Sequence, residues 1–382
     1  MFSCQTKTKT STDVRCAFSA DSAYTYIAQQ VAFGARVPGS DEHAACGDWL
    51  VRKLAQFGAQ VHNQYGTMTN YAGESQALRN IVAYFEGTTP NTILLCAHWD
   101  SRPWSDEEEH YDDRFTPVLG ANDGASGVGV ILEIIRQLSI LKAQGEAIPS
   151  IQIVFFDCED MGTPNHYTGT QREHTWCLGS QYWAKEYKQS TVNCQLSTVN
   201  CQYGILLDMV GDPSATFPRE YFSQQYAGSY VEQLWRTASR LGYSRYFVNQ
   251  STYYPITDDH YYVSTIAGIP CVDIIDYKPN TETGFAEWWH TRQDNMQNIN
   301  KQTLQAVGET VLTTICSKKR IYTPLLLAKK YLRGLTSPSM RARYMLSWVP
   351  MAQANLPFLT SLRGILHILS QRAKSSSVAR TS

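Results

Sequence analysis

The feature that most constrains this chain is a set of short, continuously apolar runs, each followed at once by acidic residues or histidine. Residues 92–97 read TILLCA, 151–156 read IQIVFF and 271–275 read CVDII. Runs so short, with little polar alternation, suit strands buried on both faces. Residues 80–85 and 204–210 read as further extended segments. Between them, residues 20–33, 42–57, 125–141, 179–188, 229–241 and 301–316 space their apolar side chains as helices do. Pro38, Gly39 and Ser40 interrupt the first two helices, and Ser40 or Asp41 can cap the second. The alternation predicts an α/β fold with a central mixed, mostly parallel twisted sheet flanked by helices on both faces.

In such sheets the ligand site lies beyond the carboxyl ends of the strands. There stand His98, Trp99 and Asp100, then Asp157, Cys158, Glu159 and Asp160, then Asp208 and Asp276. These residues are expected to converge on one rim. Glu159 and Asp160 are adjacent, so they point in different directions, and one can hold a metal while the other faces substrate. Adjacent buried carboxylates repel unless a cation or a shared proton relieves them. Asp123 precedes the helix at 125–141, where a lone Asp would ordinarily be an N-cap. His290 follows the last apolar run, where a lone His is ordinarily structural. Taken together, the carboxylates of Asp123 and Asp160 and the imidazole of His290 suit a catalytic Zn²⁺, three protein ligands leaving one position open. Residues 124–130 lack the ending of a phosphate loop, and no GxSxG elbow is present.

Composition removes other classes. Residues 321–382 hold nine Lys or Arg and no acid, which leaves 24 basic against 34 acidic residues, about −10, in the preceding 320. An acidic body is not a nucleic-acid binder. The ten cysteines form no CxxC or CxxH pattern, and Cys96, Cys158 and Cys271 in apolar runs read as buried hydrophobes. No stretch approaches the roughly 18 apolar residues of a membrane span.

The runs LLCAHWDSRP, GANDGASG, FFDCED, CLGSQYWA, LLDMVG, TDDH and EWWHTRQDN occur in this order across residues 20–316. In this the chain resembles the zinc aminopeptidase superfamily and, within it, the bacterial glutaminyl-peptide cyclotransferases. The resemblance implies one zinc held by Asp123, Asp160 and His290, with Glu159 as acid/base, Asp208 and Asp258 as supporting aspartates and Trp289 as the pocket wall. Asp160 departs from the animal members, which carry Glu there. The implied substrates are peptides and proteins with N-terminal glutamine, which cyclises to pyroglutamate as ammonia leaves. The competing reading is a two-zinc aminopeptidase, in which His98 and Asp208 hold a second ion and Asp123 bridges. Trp99 beside His98, and Trp288 and Trp289 beside His290, favour one metal by crowding the site with aromatic surface. A metal-free peptide-binding relative is the non-enzymatic alternative.

Three segments follow from this reading: a leader (1–19), a zinc-dependent catalytic domain (20–320) and a basic, disordered or loosely attached extension (321–382). Met1 to Cys4, followed by polar residues, resembles the end of a bacterial lipoprotein signal with its apolar part missing. On that reading Cys4 is lipidated and the enzyme belongs to the cell envelope or periplasm; the alternative is a cytoplasmic start with a disordered leader. Residues 360–369 suit a short basic amphipathic helix resting on an anionic membrane. STVNCQ occurs twice, at 190–195 and 197–202, and reads as a small duplication in a surface loop.

Overall fold

The computed structural model describes residues 17–192 and 199–317. Cys4, the basic extension and residues 193–198 of the STVNCQ duplication lie outside these residues. The order of elements is α1 (Ala20–Val31), α2 (Asp41–Gln56), β1 (Gln60–Thr69), β2 (Ser75–Phe85), β3 (Thr92–His98), α3 (Ala125–Ala143), β4 (Ser150–Phe156), α4 (Leu178–Val192), β5 (Gly204–Asp208), β6 (Phe217–Arg219), α5 (Tyr221–Leu241), β7 (Phe247–Ser251), α6 (Asp259–Tyr262), β8 (Cys271–Ile275) and α7 (Lys301–Cys316).

The main sheet runs β1-β2-β4-β3-β5-β8. Strands β4, β3, β5 and β8 are parallel, while β2 pairs antiparallel with both β4 and β1. Side chains alternate across it with a period of two. Leu95, Ala97, Phe155, Ile205 and Leu207 face a core built with α1, α3, α5 and α7. Leu94, Cys96, Val154, Phe156 and Leu206 face the opposite layer, where they meet Trp183 and Ala184 of α4 and Val263. Helices on both faces of a mostly parallel sheet are thus what the chain forms. The parallel strands end on one edge, which fixes where polar side chains can gather.

Two glycines let α3 approach that edge. A Cβ on Gly127 would lie 2.1 Å from the Leu207 carbonyl oxygen of β5. Gly124, at φ +94°, would place one 2.5 Å from the Asp100 carbonyl oxygen. Neither position accepts a side chain without moving backbone.

Three differences from the sequence reading have physical causes. Strand β1 and the first half of β2 were not expected, because β1 alternates only between half-buried and exposed residues and so carries no apolar run. Helix α5 begins at Tyr221 rather than near residue 229, with a kink at Ala227 (φ −132°) that breaks its apolar spacing. Strand β5 ends at Asp208 because Met209 turns left-handed at φ 49°. Ser40 caps α2, its hydroxyl accepting from the His43 N–H at 3.1 Å. Cys96, Cys158 and Cys271 are buried free thiols, as expected. Among the described residues no helix is long and apolar enough to cross a membrane.

Candidate metal centre and active site

His98 is the last residue of β3, and the alternation that turns it toward the site turns Trp99 away. Trp99 is fully buried in the core, stacked on His43 at 4.0 Å, with its indole N–H donating to the Arg79 carbonyl at 3.2 Å. The expected aromatic crowding from Trp99 is therefore absent. Asp100 resumes the rim, and its carboxylate accepts the backbone N–H groups of Glu159 (3.1 Å) and Asp160 (3.2 Å). This clamp holds the turn after β4, which Cys158 opens in left-handed backbone at φ 55°. Asp157 does not join the site. It faces His43 Nε2 at 2.9 Å and the Arg79 N–H at 2.6 Å. Asp276 also turns elsewhere, to the Thr216 N–H (2.8 Å) and Lys278 (3.0 Å).

A second clamp positions Asp123. Asp294 accepts from the N–H groups of Asn122 (2.7 Å) and Asp123 (3.0 Å), while buried Arg36 donates to the carbonyls of Leu119 and Gly120. Burial, with Asp123 nearby, pushes the Asp294 carboxyl up to about 7. Helix α3 is capped at Gly124 without a side-chain bond, so Asp123 is not an N-cap and its carboxylate is available. His290 also sits in left-handed backbone, at φ 54°. Its ring stacks on Trp289 at 3.5 Å between centroids and lies parallel to Trp176 at 6.0 Å.

These supports bring Asp123, Asp160 and His290 together, with their donor atoms all within 4.8 Å. His290 Nε2 lies 3.1 Å from Asp160 Oδ1 and 3.5 Å from Asp123 Oδ2. Arg102 holds Asp106 with two short bonds (2.7 and 2.6 Å) and donates to the Asp160 carbonyl at 3.0 Å. On the other side of Asp123, His98 Nε2 is 2.9 Å from Asp123 Oδ1 and 3.2 Å from Asp208 Oδ1. Burial alone would lower the His98 pKa, but the carboxylates of Asp100, Asp123 and Asp208 raise it well above the ordinary histidine value. Asp123 moves the opposite way: burial favours its neutral form, yet His290 and His98 hold it below the usual carboxylate range. Burial lifts Asp208 to about 7.

Glu159 stands half-buried beside this group. Burial pushes its carboxyl well above the ordinary range, and its Oε1 accepts a hydrogen bond from the buried Cys177 thiol at 3.1 Å. Asp258 lies with them, its Oδ2 buried and without a hydrogen-bond partner among the described residues. Behind Asp258, His260 Nε2 bonds Glu220 at 2.9 Å and its Nδ1 lies 3.5 Å from Asp273. Asp123, Asp160, His290, Glu159, Asp208, Asp258 and Trp289 thus lie in one neighbourhood, whereas Trp99, Asp157 and Asp276, expected on the same rim, do not join it. Cys177, Asp294 and the Arg102–Asp106 pair are additions. Each stands in or beside a motif already singled out, but Cys177 and Asp294 meet partners 18 and 171 or more residues away, and Arg102, four residues from Asp106, acts on Asp160 58 residues on, so pattern alone does not find them.

The donor set suits a divalent cation of borderline softness. Asp160 Oδ2 is buried and has no hydrogen-bond partner among the described residues, an arrangement that a bound ion would satisfy.

Residues 80–315 match peptidase family M28, and the chain belongs to that family. Within it, the similarity lies with bacterial glutaminyl cyclases and zinc exopeptidases. The Tannerella forsythia glutaminyl cyclase structure is 46% identical, covering 79% of this chain and 100% of that one, with a TM-score of 0.73. A Zn-dependent exopeptidase from Parabacteroides distasonis is 47% identical over 80% of this chain and 100% of that one, also at 0.73. The glutaminyl-peptide cyclotransferase of Bos taurus is 25% identical over 297 residues, 72% of this chain and 76% of that protein.

Proposed function

We propose that the chain is a glutaminyl cyclase that converts the N-terminal glutamine of peptides and proteins to pyroglutamate with release of ammonia. The observation that carries this reading is Glu159: a carboxyl of raised pKa, adjacent in sequence to the ligand Asp160 and close to Asp258 and Cys177. One Zn²⁺ would be held by Asp123, Asp160 and His290, and when bound it would polarise the γ-amide carbonyl and stabilise the developing oxyanion. Glu159 takes a proton from the attacking α-amine as the new C–N bond forms. It then returns a proton to the departing amide nitrogen as the old C–N bond breaks. A raised carboxyl pKa narrows the gap to an amine of pKa about 7.7–8.0 and eases both transfers. Asp258 and Asp208 face the same space and orient the amine. Trp289, stacked on His290, walls the pocket and favours the folded, ring-forming conformer.

A two-zinc aminopeptidase is the second reading, favoured by the donor group His98, Asp123 and Asp208. Incubation with a Gln-initiated peptide, with and without chelator, should give a product lighter by ammonia only in the metal-bound sample. Release of free amino acids together with two zincs per chain would reverse the choice.

A further inference from the structure

Residues 105–114 read SDEEEHYDDR and form the most acidic stretch of the described chain. The segment is fastened to the metal group. The Glu107 N–H donates to the His290 carbonyl at 3.3 Å, and Asp106 Oδ1 lies 3.6 Å from His290 Nδ1. Arg292, two residues beyond His290, bonds Glu108 at 3.2 Å and Asp113 at 2.7 Å. Asp106 is matched by Arg102, but Glu109 and Asp112 are exposed and make no ion pair among the described residues. Between them stands Tyr111, 60% exposed, in edge contact at 5.3 Å with Phe115, itself 49% exposed.

This aromatic surface is braced from within. Phe115 packs on His166 at 4.7 Å, His166 on Trp104 at 6.0 Å, and the Arg102 guanidinium lies 5.6 Å over Trp104 and 4.7 Å over Trp176. Trp176 in turn lies parallel to His290. An exposed aromatic pair flanked by unpaired carboxylates has the chemistry of a cation receptor: ring faces attract ammonium or guanidinium groups, and the carboxylates add charge attraction. A chain whose first residue occupies the site must leave across the surrounding rim.

We infer that the rim formed by Glu109, Tyr111, Asp112 and Phe115 receives the substrate chain beyond its reacting residue and favours peptides with Lys or Arg there. This rests on the peptide-end activity proposed above and adds the charge class of its substrates. Kinetics on the full-length zinc enzyme would use matched Gln-initiated peptides carrying Lys or Glu at the third to fifth positions. The Lys series should have the higher kcat/KM, by roughly five- to tenfold at low salt, chiefly through KM and shrinking as salt rises. In the double variant Glu109→Gln/Asp112→Asn, the Lys-to-Glu ratio should fall toward one. In Tyr111→Ala it should fall in part. Equal rates for the two series, or a ratio that the double variant leaves untouched, would overturn the inference. Should no peptide release ammonia, the activity reading fails separately. Fluorescence anisotropy with the same labelled peptides then reads the charge preference as a ratio of Kd, on the same criteria.

Discussion

At the scale of single residues, two adjacent carboxylates have been given opposite duties by their surroundings. Asp160 is pinned through its N–H by Asp100 and through its carbonyl by Arg102, so its side chain is committed to the metal group. Glu159 shares the Asp100 clamp, but its side chain faces the Cys177 thiol and Asp258. Replacing it with the isosteric amide leaves the ligands in place. Glu159→Gln should therefore keep its zinc, measured by metal analysis, while kcat falls by about 10²- to 10⁴-fold. On the proposed mechanism Glu159 accepts the proton in its ionised form, so the acid limb of kcat/KM should lie above the ordinary carboxylate range. The sequence made these residues legible because each sits at a strand end or helix start within a short motif. Trp99 was misplaced by the same logic, since neighbours on a strand face opposite ways and His98 took the site side.

At the scale of elements, the four-residue helix α6 carries Asp258 at its N-cap and buries Asp259, His260 and Tyr262. Glu220 ties it to α5, capping α5 by accepting from the N–H groups of Phe222 and Ser223 while also bonding His260 of α6 at 2.9 Å. Although burial opposes it, the contact with His260 and these N–H bonds draw the Glu220 carboxyl down to about 2, from 4.5. A depressed folded-state value stabilises the native chain above pH 4.5, and this contribution fades as pH falls toward 2. It amounts to roughly 3 kcal/mol. Glu220→Gln should lower stability at pH 7 by about that order, and its denaturant midpoint should depend less on pH between 5 and 2. The central strands were readable as apolar runs, but β1 was not. Its side chains face half-exposed surroundings, and its identity as a strand comes from ten paired positions along β2, information held in the partner rather than in its own residues.

At the scale of the molecule, the rim gathers Asp100, Asp123, Asp160, Asp208 and Asp258 as buried carboxylates around the imidazoles of His98, His290 and His260 and the Arg102 guanidinium. Such a concentration is stable only with added positive charge or bound protons. Removing a zinc bound a thousandfold above its Kd withdraws about 4 kcal/mol, so chelation should lower the thermal midpoint by roughly 10 °C in calorimetry. An unchanged midpoint would mean that no ion is held there. The α/β architecture was legible because burial on both faces of a parallel sheet writes itself as uninterrupted apolar sequence. The site's supports were not, because Asp294 reaching the N–H groups of residues 122 and 123 is a contact across 171 residues that local pattern does not encode.

Cys158, Met209 and His290 hold left-handed backbone without being glycine, each at or beside a turn that presents a site side chain. Such conformations cost on the order of 1 kcal/mol or more apiece, and a chain under selection for durability alone would replace them. Their joint presence marks a conflict between robustness and rate. Glycine at Met209 would release that strain but also remove a buried side chain, so the position is held by packing as well as by the turn that presents Asp208.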